Sequence, residues 1–203
     1  MSARVAVVDY GMGNLRSVEK ALEHVGAAAE VTNDHARIRA ADAVVLPGVG
    51  AFPKAMERIR TLGLDEAIGE RVGAGVPVLG ICLGMQLLFE SSTELGGAEG
   101  LGLVPGAVER LPSNGLKLPQ IGWNEVTWLR GAPLVDGLPE QTAMYHVHSF
   151  APRPADEDDV LGTADYGGRF VTAIERGNVL GVQFHPEKSG PHGLGLLSRF
   201  VAA

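Results

Sequence analysis

An α/β fold of three layers is predicted for this chain: an open, mostly parallel sheet with helices on both faces, plus a β-rich second half. Three observations predict it. Short apolar runs alternate with stretches of helical periodicity through the first half, the pattern of strands joined by crossover helices. Glycine-rich segments follow those runs, where open α/β sheets place their sites. The 203 residues contain no long linker and no internal repeat, which suits one domain over 1–203 with a core of its own.

The elements follow in order. "RVAVV", 4–8, reads as a strand buried on both faces. Leu15, Val18, Leu22 and Val25 recur at helical spacing, and Gly26 suits the C-terminal cap. "AVVL", 43–46, is the next strand, followed by "PGVGAF" and helical segments to about Val72. "PVLGI", 77–81, is another buried strand, with a tight turn at Cys82 and a helix over "LGMQLLFESS", 83–92. Residues 72–89 carry no charge, long enough to suggest a membrane span. Gly73, Gly75, Pro77, Gly80 and Gly84 would break such a helix repeatedly. From Gly96 to Leu129 the chain is rich in Gly and Pro, with β-like pieces "AVERL" and "EVTWL". Further strands are predicted at "AMYHVHSF", "VTAIE" and "VLGVQF", and a last amphipathic helix on Leu194, Leu197, Phe200 and Val201.

Charge and cysteine content narrow the function. A net charge of −7 argues against a phosphate-backbone partner. One cysteine excludes an intramolecular disulfide, which fits a reducing compartment. The apolar run "VAVV" is cut short by Asp9, so no secretory signal is expected and a cytoplasmic protein is. The acidic run "PADEDD", 154–159, reads as a solvated loop.

Several constellations bear on chemistry. Gly11-Met12-Gly13 begins like a dinucleotide fingerprint, but Arg16 stands where the third glycine belongs, so a tight turn is the better reading. Gly80-Ile81-Cys82-Leu83-Gly84 has the spacing of a nucleophile elbow with sulfur replacing oxygen. Glycines there let strand and helix pack close, and a helix amino terminus favours the thiolate. A free cysteine is also commonly a small buried hydrophobe, so the motif alone leaves both readings open.

A base favours the catalytic one. Pro186 pushes His185 toward an extended conformation, in which His185 and Glu187 point to the same side. Together they supply an imidazole and the carboxylate that orients it for Cys82. His146 and His148 could be imagined with them as zinc ligands, but no metal-site spacing supports that, and no metal is expected. One of that pair, or Ser149, is the better candidate to line a polar pocket. In "LPGVGAF", Gly48 and Gly50 leave backbone N–H groups free. One from Val49 or Gly50, and one from Leu83, suit a developing oxyanion.

"GICLGMQLL", "PGVGAF" and "HPEKS" together resemble the class I glutamine amidotransferases over nearly the whole chain. "DYGMGNLRSV", "PQIGWN" and "YHVHSF" look like the members that serve a cyclase in histidine biosynthesis. The resemblance implies a flavodoxin-like fold and a triad of Cys82, His185 and Glu187. It implies glutamine as substrate, contacted by Gly50, Gln86 and the segment around Ser149, and no cofactor. Cys82 would form a thioester, release ammonia and be freed by water. The glutaminase fold takes up all 203 residues, so ammonia would pass to another chain, a cyclase of (β/α)₈ barrel fold, within a heterodimer. Asn14, Trp123 and Lys188 are expected on the docking face. A glutaminase serving another synthase, such as one making pyridoxal phosphate, and a stand-alone Cys-His hydrolase are the alternatives.

Overall fold

The computed structural model describes residues 2–203. In chain order the elements are β1 (Arg4–Val8), α1 (Leu15–His24), β2 (Ala28–Thr32), α2 (His35–Ala40) and β3 (Ala43–Gly48). Next come α3 (Phe52–Thr61), α4 (Leu64–Gly73), β4 (Val78–Cys82), α5 (Leu83–Leu87), β5 (Phe89–Ser92) and β6 (Ala98–Glu99). The β-rich half holds β7 (Val104–Arg110), β8 (Gln120–Trp128), β9 (Gln141–His148), β10 (Phe150–Pro154), β11 (Val160–Asp165), β12 (Arg169–Arg176) and β13 (Val179–Val182). Helix α6 (Gly190–Ala202) closes the chain.

One sheet carries the order β2-β1-β3-β4-β13-β12-β11-β8-β9. Its first five strands pair in parallel and the rest antiparallel. Strands β8, β9, β11, β12 and β13 of the β-rich half therefore extend the parallel sheet, while β7 and β10 leave it. A second, smaller sheet, β10-β7-β5-β6, packs beside β12.

Period-two alternation sorts the core. Ala6 and Val8 of β1 face a cluster with Ile38, Phe52, Met56, Ile59, Leu64 and Ile68, from α2, α3 and α4. Val5 and Val7 face the opposite cluster, with Val18 and Leu22 of α1 and Leu196, Leu197 and Phe200 of α6. Helices thus cover both faces, as three-layer packing requires. No helix among the described residues is long and apolar enough to cross a membrane.

The structure departs from the sequence reading in places. The helix after Cys82 ends at Leu87 and residues 89–92 form β5. The carbonyls needed to continue it are taken: Leu87 O accepts from Leu101 N, and Leu88 O from Leu103 N and Val104 N. A helix of five residues also has little dipole to offer a thiolate. The acidic run is only partly a solvated loop, because Asp159 is buried and paired with Arg176 at 3.0 Å.

Candidate active site

Cys82 ends β4 at φ 55°, ψ −112°, outside the usual regions for an L-residue. Such a backbone costs about 1–3 kcal/mol and persists only where packing imposes it. The flanking glycines show the imposition. A Cβ on Gly84 would lie 1.7 Å from Leu46 O of β3, and one on Gly80 would lie 2.7 Å from Gly84 O and Met85 N. The strand-to-helix turn is closed so tightly that only hydrogen fits at either side of the cysteine.

The sheet brings the partner. Strand β13 lies beside β4 in parallel, Val182 opposite Ile81, so residues beyond both carboxyl ends meet at one edge. His185 follows β13 in extended conformation (φ −101°, ψ 95°) and donates its backbone N–H to Tyr145 O of β9 at 2.8 Å. Residues 186–188 form a single 3₁₀ turn, which carries the Glu187 carboxylate back to the ring. Glu187 Oε1 stands 2.9 Å from His185 Nδ1, with both side chains almost wholly buried. That bond leaves Nε2 as the nitrogen free for the sulfur. Burial opposes the charged imidazole, but Cys82 and Glu187 outweigh it and push its pKa up to about 9.

Cys82, His185, Val49, Gly50, Leu83, Gln86, His148, Ser149 and Lys188 line one cavity of about 250 Å³. Leu83 opens α5, so its N–H has no acceptor within the helix. The loop carrying Val49 is anchored just before it: the Tyr10 hydroxyl donates to Pro47 O at 2.7 Å. Gly50 turns at φ 112°, a conformation that favours glycine. A larger cavity, about 430 Å³, opens against β7, β10 and β12, but holds neither the thiol nor an imidazole.

The remaining expected residues separate. Lys188, expected on a docking face, stands on the rim of the same cavity. Trp123 is 59% exposed and packs edge-on against Tyr145, with centroids 6.0 Å apart. Asn14 is exposed beside Gly13, which packs near Gly48. His146 faces away from ligand chemistry, since Met144 O and Thr172 Oγ1 occupy its two nitrogens. Burial holds its pKa down to about 3, and that of His148 down to about 4. No cluster of metal-ligating residues occurs among the described residues.

Two polar residues escape the sequence reading. Glu94 lines the cavity while its Oε2 accepts from Phe52 N at 2.8 Å. Gln183 is fully buried, and its Nε2 lies 3.7 Å from Cys82 Sγ. Strand β13 stops at Val182, short of the predicted run "VLGVQF", and Gln183 lies in the bend between it and His185.

The family model described as Glutamine amidotransferase class-I matches residues 6–203. The chain is 52% identical over 196 residues to imidazole glycerol phosphate synthase subunit HisH of Moorella thermoacetica, covering 97% of this chain and 93% of that one. It is 49% identical over 203 residues to the subunit of the same name from Salinibacter ruber, with the same coverage. Among solved structures, PurLQS from Thermotoga maritima superposes with a TM-score of 0.79 at 19% identity. That superposition covers 100% of this chain and 98% of the other, and speaks to fold alone.

Proposed function

The chain belongs to the class I glutamine amidotransferases, and from that premise we propose that it is the glutaminase subunit of an imidazole glycerol phosphate synthase, in histidine biosynthesis. It hydrolyses glutamine to glutamate and ammonia. Cys82, His185 and Glu187 are its triad, within one domain over 1–203. One observation carries the proposal. A cysteine held in a strained turn shares a cavity with an imidazole whose far nitrogen is fixed by a buried carboxylate.

The raised pKa of His185 favours an imidazolium beside the sulfur at neutral pH, and the thiolate is the attacking form. The thiolate attacks the side-chain amide carbon of glutamine, and the carbonyl oxygen takes up negative charge. The N–H groups of Leu83 and Val49 are the donors for that oxyanion. His185 gives its Nε2 proton to the departing ammonia, leaving a thioester. The neutral imidazole then takes a proton from water, which attacks the thioester and releases glutamate. Glu187 holds the ring in one orientation throughout.

The cavity suits one free amino acid. Its volume lies below the roughly 300–1,000 Å³ of drug-sized pockets. Glu94 and Lys188 line it with opposite charges, which complements an ammonium and a carboxylate on one substrate. Gly50, Gln86 and Ser149 supply polar contacts between those ends and the thiol.

Ammonia released into water is mostly protonated and no longer nucleophilic. It therefore passes to a cyclase of (β/α)₈ barrel fold, bound as a heterodimer over the cavity mouth. Exposed Val49, Ile121 and Trp123 supply apolar surface for that contact, with Asn14 and Lys188 at its polar rim. The test is glutamate formed per minute by the lone chain, by the chain with the cyclase, and by the complex with the cyclase's substrate. Strong acceleration in the last case supports the assignment. Equal rates in all three would favour a stand-alone hydrolase, and acceleration only by a pyridoxal phosphate synthase would reassign the partner.

A further inference from the structure

The imidazole is not the only side chain at the Cys82 sulfur. Beyond the imidazole, Gln183 Nε2 approaches Sγ to 3.7 Å, and Gln183 is fully buried. The orientation of that amide is fixed by a neighbour. Gln86 Nε2 donates to Phe150 O at 3.1 Å and to Gln183 Oε1 at 3.0 Å. With its oxygen held by Gln86, Gln183 can only turn its NH₂ toward the sulfur. The thiol itself points at Val147 O, 3.6 Å away, a contact that needs the S–H proton. On ionisation that contact loses its proton, and a carbonyl dipole is left facing a negative sulfur. Gln183 then supplies a second, fixed N–H donor to the buried sulfur, beside the imidazole.

We propose that Gln183, aimed by Gln86, donates a hydrogen bond to Cys82 Sγ and holds that sulfur in its thiolate form. The proposal deepens the glutaminase reading and rests on it for its consequence in turnover. Gln86 lines the substrate cavity while its NH₂ group reaches back to Gln183. The substrate pocket and the ionisation of the nucleophile are therefore joined through two amides. Hydrogen bonds to a charged group are the strong ones, so losing this donor raises the ionisation midpoint of the thiol by about one pH unit.

The test uses the second-order rate of iodoacetamide alkylation against pH. The chain has a single cysteine, so the profile reads one sulfur and does not depend on glutamine being the substrate. Gln183→Met keeps the length and removes the donor, and its midpoint should rise by about one unit. Gln183→Glu keeps the shape and adds a like charge, and its midpoint should rise further. In both, kcat for glutamine should fall roughly tenfold while KM changes little. In the wild-type chain, the Gln183 side-chain amide proton, followed by NMR with labelled glutamine, should titrate at the alkylation midpoint. That titration should vanish in Cys82→Ala. Unshifted midpoints in the variants that fold, or an amide resonance indifferent to the ionisation of Cys82, would overturn the proposal. If the midpoints shift and the amide titrates but no glutamine is hydrolysed under any condition, the hydrogen bond stands and the glutaminase reading fails.

Discussion

Val182 lies opposite Ile81 in the parallel pairing of β13 with β4. That register decides where the imidazole meets the thiol, because His185 and Cys82 each leave the sheet just beyond it. The pairing delivers the ring to the sulfur, and Glu187 then sets its angle at 2.9 Å from Nδ1. Glu187→Gln should accordingly lower kcat for glutamine more than it alters KM. It should do less harm than His185→Ala, which removes the proton carrier itself. Steady-state kinetics of both variants, in complex with the cyclase, check the order. The reverse order would mean that base and orienter are wrongly assigned.

Backbone packing at the elbow gives a stability prediction with an internal control. Gly84→Ala places a methyl group 1.7 Å from Leu46 O, a clash between α5 and β3 that neither backbone can relieve. A loss of roughly 3 kcal/mol or more is expected, at or beyond the upper end of the usual range for a single substitution. At Gly69, inside α4, an added methyl group would meet nothing within 4 Å. Gly69→Ala should stabilise by about 0.5–1 kcal/mol through helix propensity. Urea unfolding of the two variants gives both numbers.

Three buried histidines predict how stability depends on pH. His146 and His148 have folded-state pKa values near 3 and 4, below the ordinary 6.5. Below pH 6.5 the unfolded chain binds protons that the folded chain refuses, so stability falls as pH drops toward 4 and then 3. His185 works in the opposite sense. Its folded pKa near 9 contributes stability that is fully present below 6.5 and lost as pH rises through 9. The three together place a maximum near pH 6.5. Unfolding free energy measured from pH 4 to 9 should show it, and His148→Asn should flatten the acid limb.

The docking surface is tested at Trp123. Its exposed indole contributes little to the fold, so Trp123→Ala should change unfolding free energy by about 0.5 kcal/mol or less. Exposed aromatics at the centre of an interface commonly carry about 2 kcal/mol or more of binding, which corresponds to roughly thirtyfold in Kd. Titration calorimetry against the cyclase reads the difference. An unchanged Kd would move the interface away from β8 and β9.

Much of the fold is legible in the sequence, for identifiable reasons. The buried strands β1, β3 and β4 are continuous apolar runs, and the glycines around Cys82 announce a turn that no other residue fits. Strand β2, "AAEVT", escapes notice because it is a half-exposed edge whose only β-formers are its last two residues. Strand β10, "FAPRP", hides behind two prolines, which its place on the edge of the small sheet tolerates. Strand β5 is hidden by tertiary bonding, since residues 101–104 take the carbonyls that would have extended α5. Local motifs single out Cys82, His185 and Glu187, which the structure brings to one end of the sheet. Glu94 and Gln183 are not so marked, because a lone polar residue takes its meaning from what the fold sets beside it.

The central claim, covalent catalysis by Cys82, is tested most directly with a glutamine-like electrophile such as a diazo-ketone analogue of glutamine. Mass spectrometry of the treated chain should show one adduct, on the peptide holding Cys82, formed in step with the loss of glutamate production. Free glutamine should slow its formation, and Cys82→Ser should take up no label and retain less than about 1% of wild-type turnover. A label on another residue, or turnover that survives the loss of the thiol, would contradict the account.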